Sequence, residues 1–162
     1  MASSQSTSPT IEYDAFLFDL DGTLLDTADD LGAALNTVLR SQQLDTVSRE
    51  VYRAAASNGA AALLEVGFKD KWGEQPQAQL VKQLIDAYAA NIAKHTTCFA
   101  GIEPLLIELE RKNIKWGIMT NKPGFLTAPL VAAIPALKNA CVVISGDTLA
   151  EAKPSPLPLL HC

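Results

Sequence analysis

An α/β fold, with a parallel sheet and an inserted run of helices, is predicted by three features of the sequence. Three short apolar runs have the length of buried strands and lie at residues 14–20, 114–120 and 141–145. Helical periodicity alternates with these runs, which is the pattern of parallel strands joined by crossover helices. Residues 28–95, between the first and second runs, show helix patterns and no strand pattern. We therefore predict a core of residues 13–27 and 96–162 that carries a helical insert, residues 28–95.

The helical insert is predicted to contain four helices. Thr27 precedes Asp30 with the spacing of a capping box, so we expect these side chains to cap the first helix, which ends near Leu44. Further along, the pattern predicts two short helices, a polar loop and a long helix, at residues 48–67, 69–77 and 80–92.

After the insert, helices and strands alternate along the core. Residues 102–111 have one apolar face at helical spacing, which predicts a helix. Residues 125–138 are predicted to form a helix interrupted at Pro129 and Pro135, because proline has no backbone N–H to donate. The three predicted strands and their crossovers therefore build one sheet.

Composition and charge exclude several functional classes. The chain has 162 residues and a formal net charge of -5. It has no basic block, so no nucleic-acid partner is expected, and its apolar stretches are too short for a membrane-spanning helix. Residues 1–12 are rich in Ser and Thr and lack the features of a signal peptide, which predicts a flexible tail. The three cysteines are odd in number and lack metal-ligand spacing, which favours a reducing, cytoplasmic setting.

Two carboxylates follow the first predicted strand. Asp19 and Asp21 flank Leu20 and are followed by Gly22 and Thr23. Side chains two residues apart in a strand point the same way, and ligands bind at the carboxyl ends of strands in an open α/β sheet. Because neighbouring carboxylates repel each other, the pair needs a cation or a shared proton. The pattern predicts a ligand site here, with an Asp-Gly turn that merely ends the strand as the alternative.

Phosphoryl transfer would use the two carboxylates in different roles. An ionised carboxylate attacks phosphorus and forms an acyl-phosphate, whereas a second carboxyl group protonates the leaving oxygen and later activates water. Mg²⁺ would screen the anionic nucleophile from the anionic substrate. Gly22 would permit a turn that brings backbone N–H groups towards a phosphate.

Residues 18–27, Phe-Asp-Leu-Asp-Gly-Thr-Leu-Leu-Asp-Thr, resemble the first motif of the haloacid dehalogenase (HAD) superfamily phosphatases. The resemblance implies a HAD-like, Rossmann-type parallel sheet in which Asp19 is the nucleophile and a Mg²⁺ ligand. It implies that Asp21 is the general acid and base and binds Mg²⁺ through its backbone carbonyl. Gly22 and Thr23 would bind the phosphate. The superfamily's dehalogenases lack the second Asp, so Asp21 favours phosphate chemistry.

Two later segments resemble further motifs of the same superfamily. Thr120, followed by Asn121, ends the second predicted strand, and Lys153 precedes Pro154. The resemblance implies that Thr120 and Asn121 hold a phosphoryl oxygen and that Lys153 neutralises the phosphate and Asp19. Taken singly, these are a strand end and a solvated lysine. The order of the three motifs along the chain favours the functional interpretation.

The helical insert resembles the small helical cap of the superfamily's phosphoglycolate-phosphatase-like branch. Such caps close over the pocket, exclude water and select the substrate. Ser57, Asn58 and Gly59 are the candidate site residues of the insert, with a helix-breaking turn as the alternative. The implied substrate is a small phosphorylated metabolite such as 2-phosphoglycolate. Residues 116–123 also resemble the N-acetylmuramic acid 6-phosphate phosphatases, and a phosphomutase of the superfamily is a lesser alternative.

The sequence departs from the superfamily at its fourth motif, an acidic pair after a further strand. Asp147 precedes Lys153 and so has the wrong order to supply that motif. A last helix is expected from Ser155 and Pro156, with about seven residues where 11–12 are usual.

We therefore expect an incomplete sheet, weak Mg²⁺ binding, little activity and an open edge on the first strand, through which copies of the chain would associate. Two non-enzymatic alternatives remain. One is a remnant that only binds phosphate or a partner protein, and the other is an acidic helical interaction module.

Overall fold

The computed structural model describes residues 13–74 and 76–162, so the predicted flexible tail at residues 1–12 lies outside the described residues. The strands are β1 (Ala15–Phe18), β2 (Leu25–Asp26), β3 (Thr97–Cys98), β4 (Lys115–Met119) and β5 (Val143–Ile144). The helices are α1 (Ala28–Ser41), α2 (Arg49–Ala55), α3 (Gly59–Phe68), α4 (Gln77–Ala89), α5 (Ile102–Arg111), α6 (Gly124–Ala133) and α7 (Leu157–His161). Short 3₁₀ turns lie at Ala56–Asn58, Lys69–Glu74 and Pro135–Leu137.

The main sheet has the order β1-β4-β5 and is parallel throughout, which confirms the predicted α/β class. Ala15 lies opposite Lys115, and Ile118 lies opposite Val143. Because the strands are parallel, their carboxyl ends meet at one edge, where Asp19 follows β1 and Thr120 follows β4. The sheet thus brings together two motifs that are far apart in the sequence.

Strand β1 is less buried than predicted. Among the described residues it pairs only with β4. Phe16, Leu17 and Phe18 are therefore half-buried, and Ala15 is exposed. A run of apolar residues signals a strand, but its burial depends on how many neighbours the strand has.

Two clusters of buried apolar side chains support the molecule. One fills the helical insert and includes Leu35, Leu39, Leu64, Leu84 and Tyr88. The other packs against the sheet and includes Leu20, Leu24, Leu106, Trp116, Ile118 and Leu130. Leu126, on α6 of the core, belongs to the cluster of the insert. Apolar contact therefore holds the insert against the edge of the sheet that carries the motifs.

The predicted capping box at the start of α1 is wrong. Thr27 makes no side-chain cap to the helix, and its Oγ1 donates instead to Oδ1 of Asp21 over 2.7 Å. Asp30 is buried and accepts hydrogen bonds from the backbone N–H groups of His95 and Thr96. Both side chains are bonded to partners outside α1, which the spacing of Thr27 and Asp30 could not reveal.

The predicted interruption at Pro129 is also wrong, because α6 continues through it. The N–H missing at Pro129 would have bonded to the carbonyl of Phe125. Only this one hydrogen bond, near the first turn of α6, is lost. Pro135 does end the helix region, since a 3₁₀ turn begins there.

Three smaller differences concern ends and connections. Helix α7 begins at Leu157, two residues after the predicted cap, and Ser155 Oγ accepts from the N–H of Leu157 over 3.2 Å. The predicted polar loop after α3 contains a 3₁₀ helix, Lys69–Glu74. The antiparallel pair β2–β3, which was not predicted, connects the two ends of the insert.

None of the helices in the described residues is long and apolar enough to cross a membrane.

Candidate active site

Asp19 lies directly after β1 and pairs with a lysine from a distant loop. Its Oδ1 is 3.0 Å from Nζ of Lys153 and also accepts from the N–H of Leu20 over 2.8 Å. Lys153 is itself held, because its Nζ donates to the carbonyl of Met119 over 2.8 Å. The Asp19 side chain is 43% exposed. A fixed and accessible carboxylate therefore lies at the sheet edge.

Asp21 pairs with a second lysine, which the sequence interpretation did not assign to the site. Its Oδ1 accepts from Thr27 Oγ1 over 2.7 Å and from Lys122 Nζ over 3.1 Å. Lys122 is only 8% exposed, and its Nζ lies 4.4 Å from the centre of the Tyr88 ring on α4. The repulsion between Asp19 and Asp21 is thus relieved by two separate ammonium groups.

The turn after the first carboxylate uses its own backbone donors. Gly22 has φ +79, a conformation that side chains rarely adopt, and its N–H donates to the carbonyl of Leu25 over 2.9 Å. The N–H of Thr23 donates to the carbonyl of Leu20 over 3.4 Å, and its side chain is exposed. The structure places both predicted phosphate-binding residues beside Asp21, with these N–H groups bonded inside the turn.

The loop after β4 is tied to the loop that carries Lys153. Thr120 is buried, and its Oγ1 accepts from the N–H of Lys122 over 3.2 Å. The side-chain amide of Asn121 donates to the carbonyl of Lys153 over 2.9 Å. Asn121 therefore fixes the backbone that presents the Lys153 ammonium to Asp19.

A cavity of about 180 Å³ separates the core from the helical insert, and we call it the Asp21 cavity. Its lining comprises Asp21, Gly22, Asp26, Thr27, Ala28, Arg53, Ala56, Ser57 and Phe99. Of the three insert residues predicted for the site, Ser57 lines this cavity, and a Cβ on Gly22 would lie 3.2 Å from Ser57 Oγ. Asn58 and Gly59 are exposed and are not in its wall.

Arg53 is a further residue of the cavity wall that sequence reasoning missed. It forms an ion pair with Asp26 of β2, and the neighbouring carboxylate raises the pKa of the Arg53 guanidinium. This pair joins α2 of the insert to the chain segment that follows the first motif. In the sequence this ion pair appears only as one basic and one acidic residue, and charge alone does not show that two residues are partners.

Tyr88 brings a phenol to the same region from α4. Burial, with a smaller effect from Asp21 and Asp30, raises the pKa of Tyr88, so the phenol stays neutral. Within the described residues its hydroxyl has no hydrogen-bond partner. The ring, rather than the hydroxyl, therefore makes the specific contact at this site.

The donor set suits Mg²⁺ only in part. Proteins commonly hold Mg²⁺ with one or two carboxylates, several waters and the substrate phosphate, which Asp19 and Asp21 would allow. Across residues 13–74 and 76–162, no three Asp, Glu, His or Cys side chains lie close enough together to hold a metal.

The sequence of this chain is similar to the sequences of known phosphatases. A phosphoglycolate phosphatase of Xanthomonas campestris pv. campestris (strain 8004) is 40% identical over 146 residues, which are 90% of this chain and 66% of that protein. An N-acetylmuramic acid 6-phosphate phosphatase of Pseudomonas putida is 33% identical over 150 residues, again 90% of this chain and 66% of the relative. The chain thus spans just under two thirds of the length of these relatives.

The fold is also that of solved structures. A crystal structure described as a predicted phosphoglycolate phosphatase, from Haemophilus somnus 129PT, has a TM-score of 0.78 and 23% identity, and the match covers 94% of this chain and 71% of that one. Residues 16–162, which include both lysine–carboxylate pairs, match the family of haloacid dehalogenase-like hydrolases. This match, which extends over most of the chain, shows that the chain belongs to the haloacid dehalogenase-like hydrolase family.

Proposed function

We propose that the chain is the catalytic part of a phosphatase that hydrolyses a small phosphomonoester. The observation that carries this proposal is the juxtaposition of two carboxylates, each with its own lysine, at the carboxyl edge of a parallel sheet. Asp19 is accessible, whereas Asp21 lines a cavity under the insert. The two groups thus occupy different environments, which suits different roles.

The first half of the proposed reaction transfers the phosphoryl group to the protein. An oxygen of Asp19 forms a bond to phosphorus while the bond from phosphorus to the leaving oxygen breaks. The electron pair of that bond goes to the leaving oxygen, which takes a proton from Asp21. Lys153, 3.0 Å from Asp19, offsets the negative charge of the nucleophile and of the phosphate.

In the second half, water regenerates Asp19. Asp21, now ionised, accepts a proton from the water that attacks phosphorus, and the bond from phosphorus to Asp19 breaks. Mg²⁺ dependence is part of the proposal. The Asp19 carboxylate and the Asp21 carbonyl would hold the ion, which would supply further positive charge next to the phosphate.

The substrate class is proposed from the relatives. The names of the relatives point to 2-phosphoglycolate and to N-acetylmuramic acid 6-phosphate, both of which carry a carboxylate besides the phosphate. The phosphoglycolate phosphatase is 40% identical to this chain and the sugar-acid phosphatase 33% identical. We therefore propose a 2-phosphoglycolate-like substrate, with the sugar acid as the alternative.

The helical insert is proposed to act as the cap of this site. Two contacts support this role: Ser57 lies over Gly22, and the Tyr88 ring lies over Lys122. We also propose a reducing, cytoplasmic setting, because Cys98, Cys141 and Cys162 are free thiols.

The test is the hydrolysis of p-nitrophenyl phosphate and 2-phosphoglycolate with and without Mg²⁺, with circular dichroism to verify folding. Asp19→Asn removes the nucleophile and should lower kcat at least about a thousandfold. Asp14→Asn is the matched control, because Asp14 is an exposed carboxylate before β1. A folded chain that binds phosphate but turns over neither ester would contradict the proposal and favour a binding remnant.

A further inference from the structure

Lys122 has a buried ammonium group that the proposed reaction does not yet use. It follows Thr120 in the loop between β4 and α6, and its side chain is 8% exposed. Removing an ammonium from water is unfavourable unless other groups compensate it. Lys153 already forms an ion pair with Asp19, the proposed nucleophile, so the Asp19 carboxylate does not require a second lysine. The compensation for Lys122 comes instead from Asp21 and from an aromatic ring.

The contacts of Asp21 are all at one of its oxygens. Thr27 Oγ1 and Lys122 Nζ both donate to Oδ1, over 2.7 and 3.1 Å. In the part of the chain that the structure describes, Oδ2 makes no hydrogen bond, and Asp21 is in the wall of the Asp21 cavity. The carboxyl group is thus anchored through Oδ1, which leaves Oδ2 as the oxygen available to a substrate.

Tyr88 holds the ammonium in place from the helical insert. The Lys122 Nζ lies 4.4 Å from the centre of its ring, within the range of a cation–π contact, and Tyr88 is 1% exposed. Contacts of this type are strongest where the cation is removed from water. Lys122 therefore links the acid of the core to a helix of the insert.

We propose that Lys122 is a positioning residue for proton delivery by Asp21, an inference that rests on the phosphatase function proposed above. Oδ2 of Asp21 carries the proton and passes it to the leaving oxygen as the bond from phosphorus to that oxygen breaks. The carboxyl group then becomes negative. Lys122, fixed at Oδ1, stabilises this developing charge without rearrangement, which is the arrangement that lowers a barrier most effectively.

The dependence of kcat/KM on the leaving group of the substrate tests this role of Lys122. Alkyl phosphates leave as strongly basic alkoxides and need the proton, whereas p-nitrophenolate leaves without one. The substrates are 2-phosphoglycolate, 2-hydroxyethyl phosphate and p-nitrophenyl phosphate. The readout is kcat/KM, which reports the steps up to departure of the leaving group and not the later hydrolysis of the aspartyl-phosphate.

We expect Lys122→Met to lower kcat/KM for both alkyl esters about a hundredfold, and for p-nitrophenyl phosphate less than about tenfold. Asp21→Asn should give the same pattern with larger losses. Lys122→Arg keeps the charge and should restore the alkyl esters at least about tenfold relative to Lys122→Met. Lys115→Met is the matched control, because Lys115 is exposed at the opposite end of β4.

The outcomes separate the two proposals. Equal losses on all three esters would show a structural role for Lys122 and overturn the inference while leaving the phosphatase function intact. A loss confined to 2-phosphoglycolate would make Lys122 a carboxylate-binding residue and would also overturn it. A folded wild-type chain without Asp19-dependent turnover would overturn the phosphatase function and, with it, this role.

Discussion

Asp30 connects the two chain segments that join the helical insert to the core. Its carboxylate, buried at the start of α1, accepts from the N–H of His95 at 2.9 and 3.1 Å. It also accepts from the N–H and the hydroxyl of Thr96 at 3.0 and 2.7 Å. These partners precede β3, so one side chain holds the entry and the exit of the insert together. Such a charge is tolerated in the interior because its oxygens are satisfied.

Asp30→Asn should lower the free energy of unfolding by about 2–4 kcal/mol. The amide nitrogen would face a backbone donor, and the remaining hydrogen bonds would lose the charge that strengthens them. Urea unfolding at neutral pH measures the loss. Asp29→Asn is the control: its pairing with Arg49 is at the surface, where such pairs are worth under about 1 kcal/mol. If the two variants lost the same free energy of unfolding, the greater importance that we assign to the buried Asp30 would be contradicted.

At the scale of elements, the loops after β4 and β5 pack directly on each other. The N–H of Gly146 donates to the carbonyl of Lys122 over 2.9 Å. A Cβ on Gly146 would overlap the backbone carbonyl of Asn121. Since Asn121 holds the carbonyl of Lys153, the position of the glycine loop affects both lysines of the candidate site.

Gly146→Ala is therefore expected to cost about 1–3 kcal/mol of stability, because the crowded atom is backbone and can move only with its loop. We also expect kcat on p-nitrophenyl phosphate to fall more than the fraction of folded protein does. Thermal unfolding and steady-state kinetics provide the two measurements. Gly73→Ala should change neither, because an added Cβ at Gly73 would meet no atom within 4 Å. A fully active and stable Gly146→Ala would show that the loops are free to separate.

The described residues form two apolar clusters, which are joined by the antiparallel pair β2–β3 and by Leu126. Within the described residues, β1 has β4 on one side and no strand on the other. Tyr13 is 58% exposed next to this edge, and Ala15 is also exposed. Unpaired backbone groups with exposed apolar side chains favour association between chains.

We expect sedimentation velocity to show association that increases with protein concentration. Ala15→Lys should reduce it, because a lysine on an edge strand opposes pairing with another chain. Ala61→Lys introduces the same charge on an exposed position of α3 and should leave association unchanged. Association that both variants reduce equally would reflect net charge rather than the sheet edge.

Local patterns in the sequence were sufficient for many elements and for part of the site. Helix α5 has the predicted bounds, because its apolar positions and its ends depend on neighbours within one or two turns. The strand that precedes Asp19 and Asp21 was recognisable from a short apolar run, and the parallel order then placed Thr120 at the same edge. These features depend on the spacing of apolar residues, which can be seen directly in the sequence.

Only the tertiary structure decided which polar groups meet. Lys122 and Asp21 are separated by 101 positions, yet their side chains are 3.1 Å apart under the Tyr88 ring. Thr27 has the spacing of a helix cap, yet its hydroxyl donates to Asp21 and accepts from no N–H group of α1. The apolar pattern determines which face of an element is buried, but not which element covers it. The partner of a buried charge is therefore determined by packing between elements, and no local pattern contains that information.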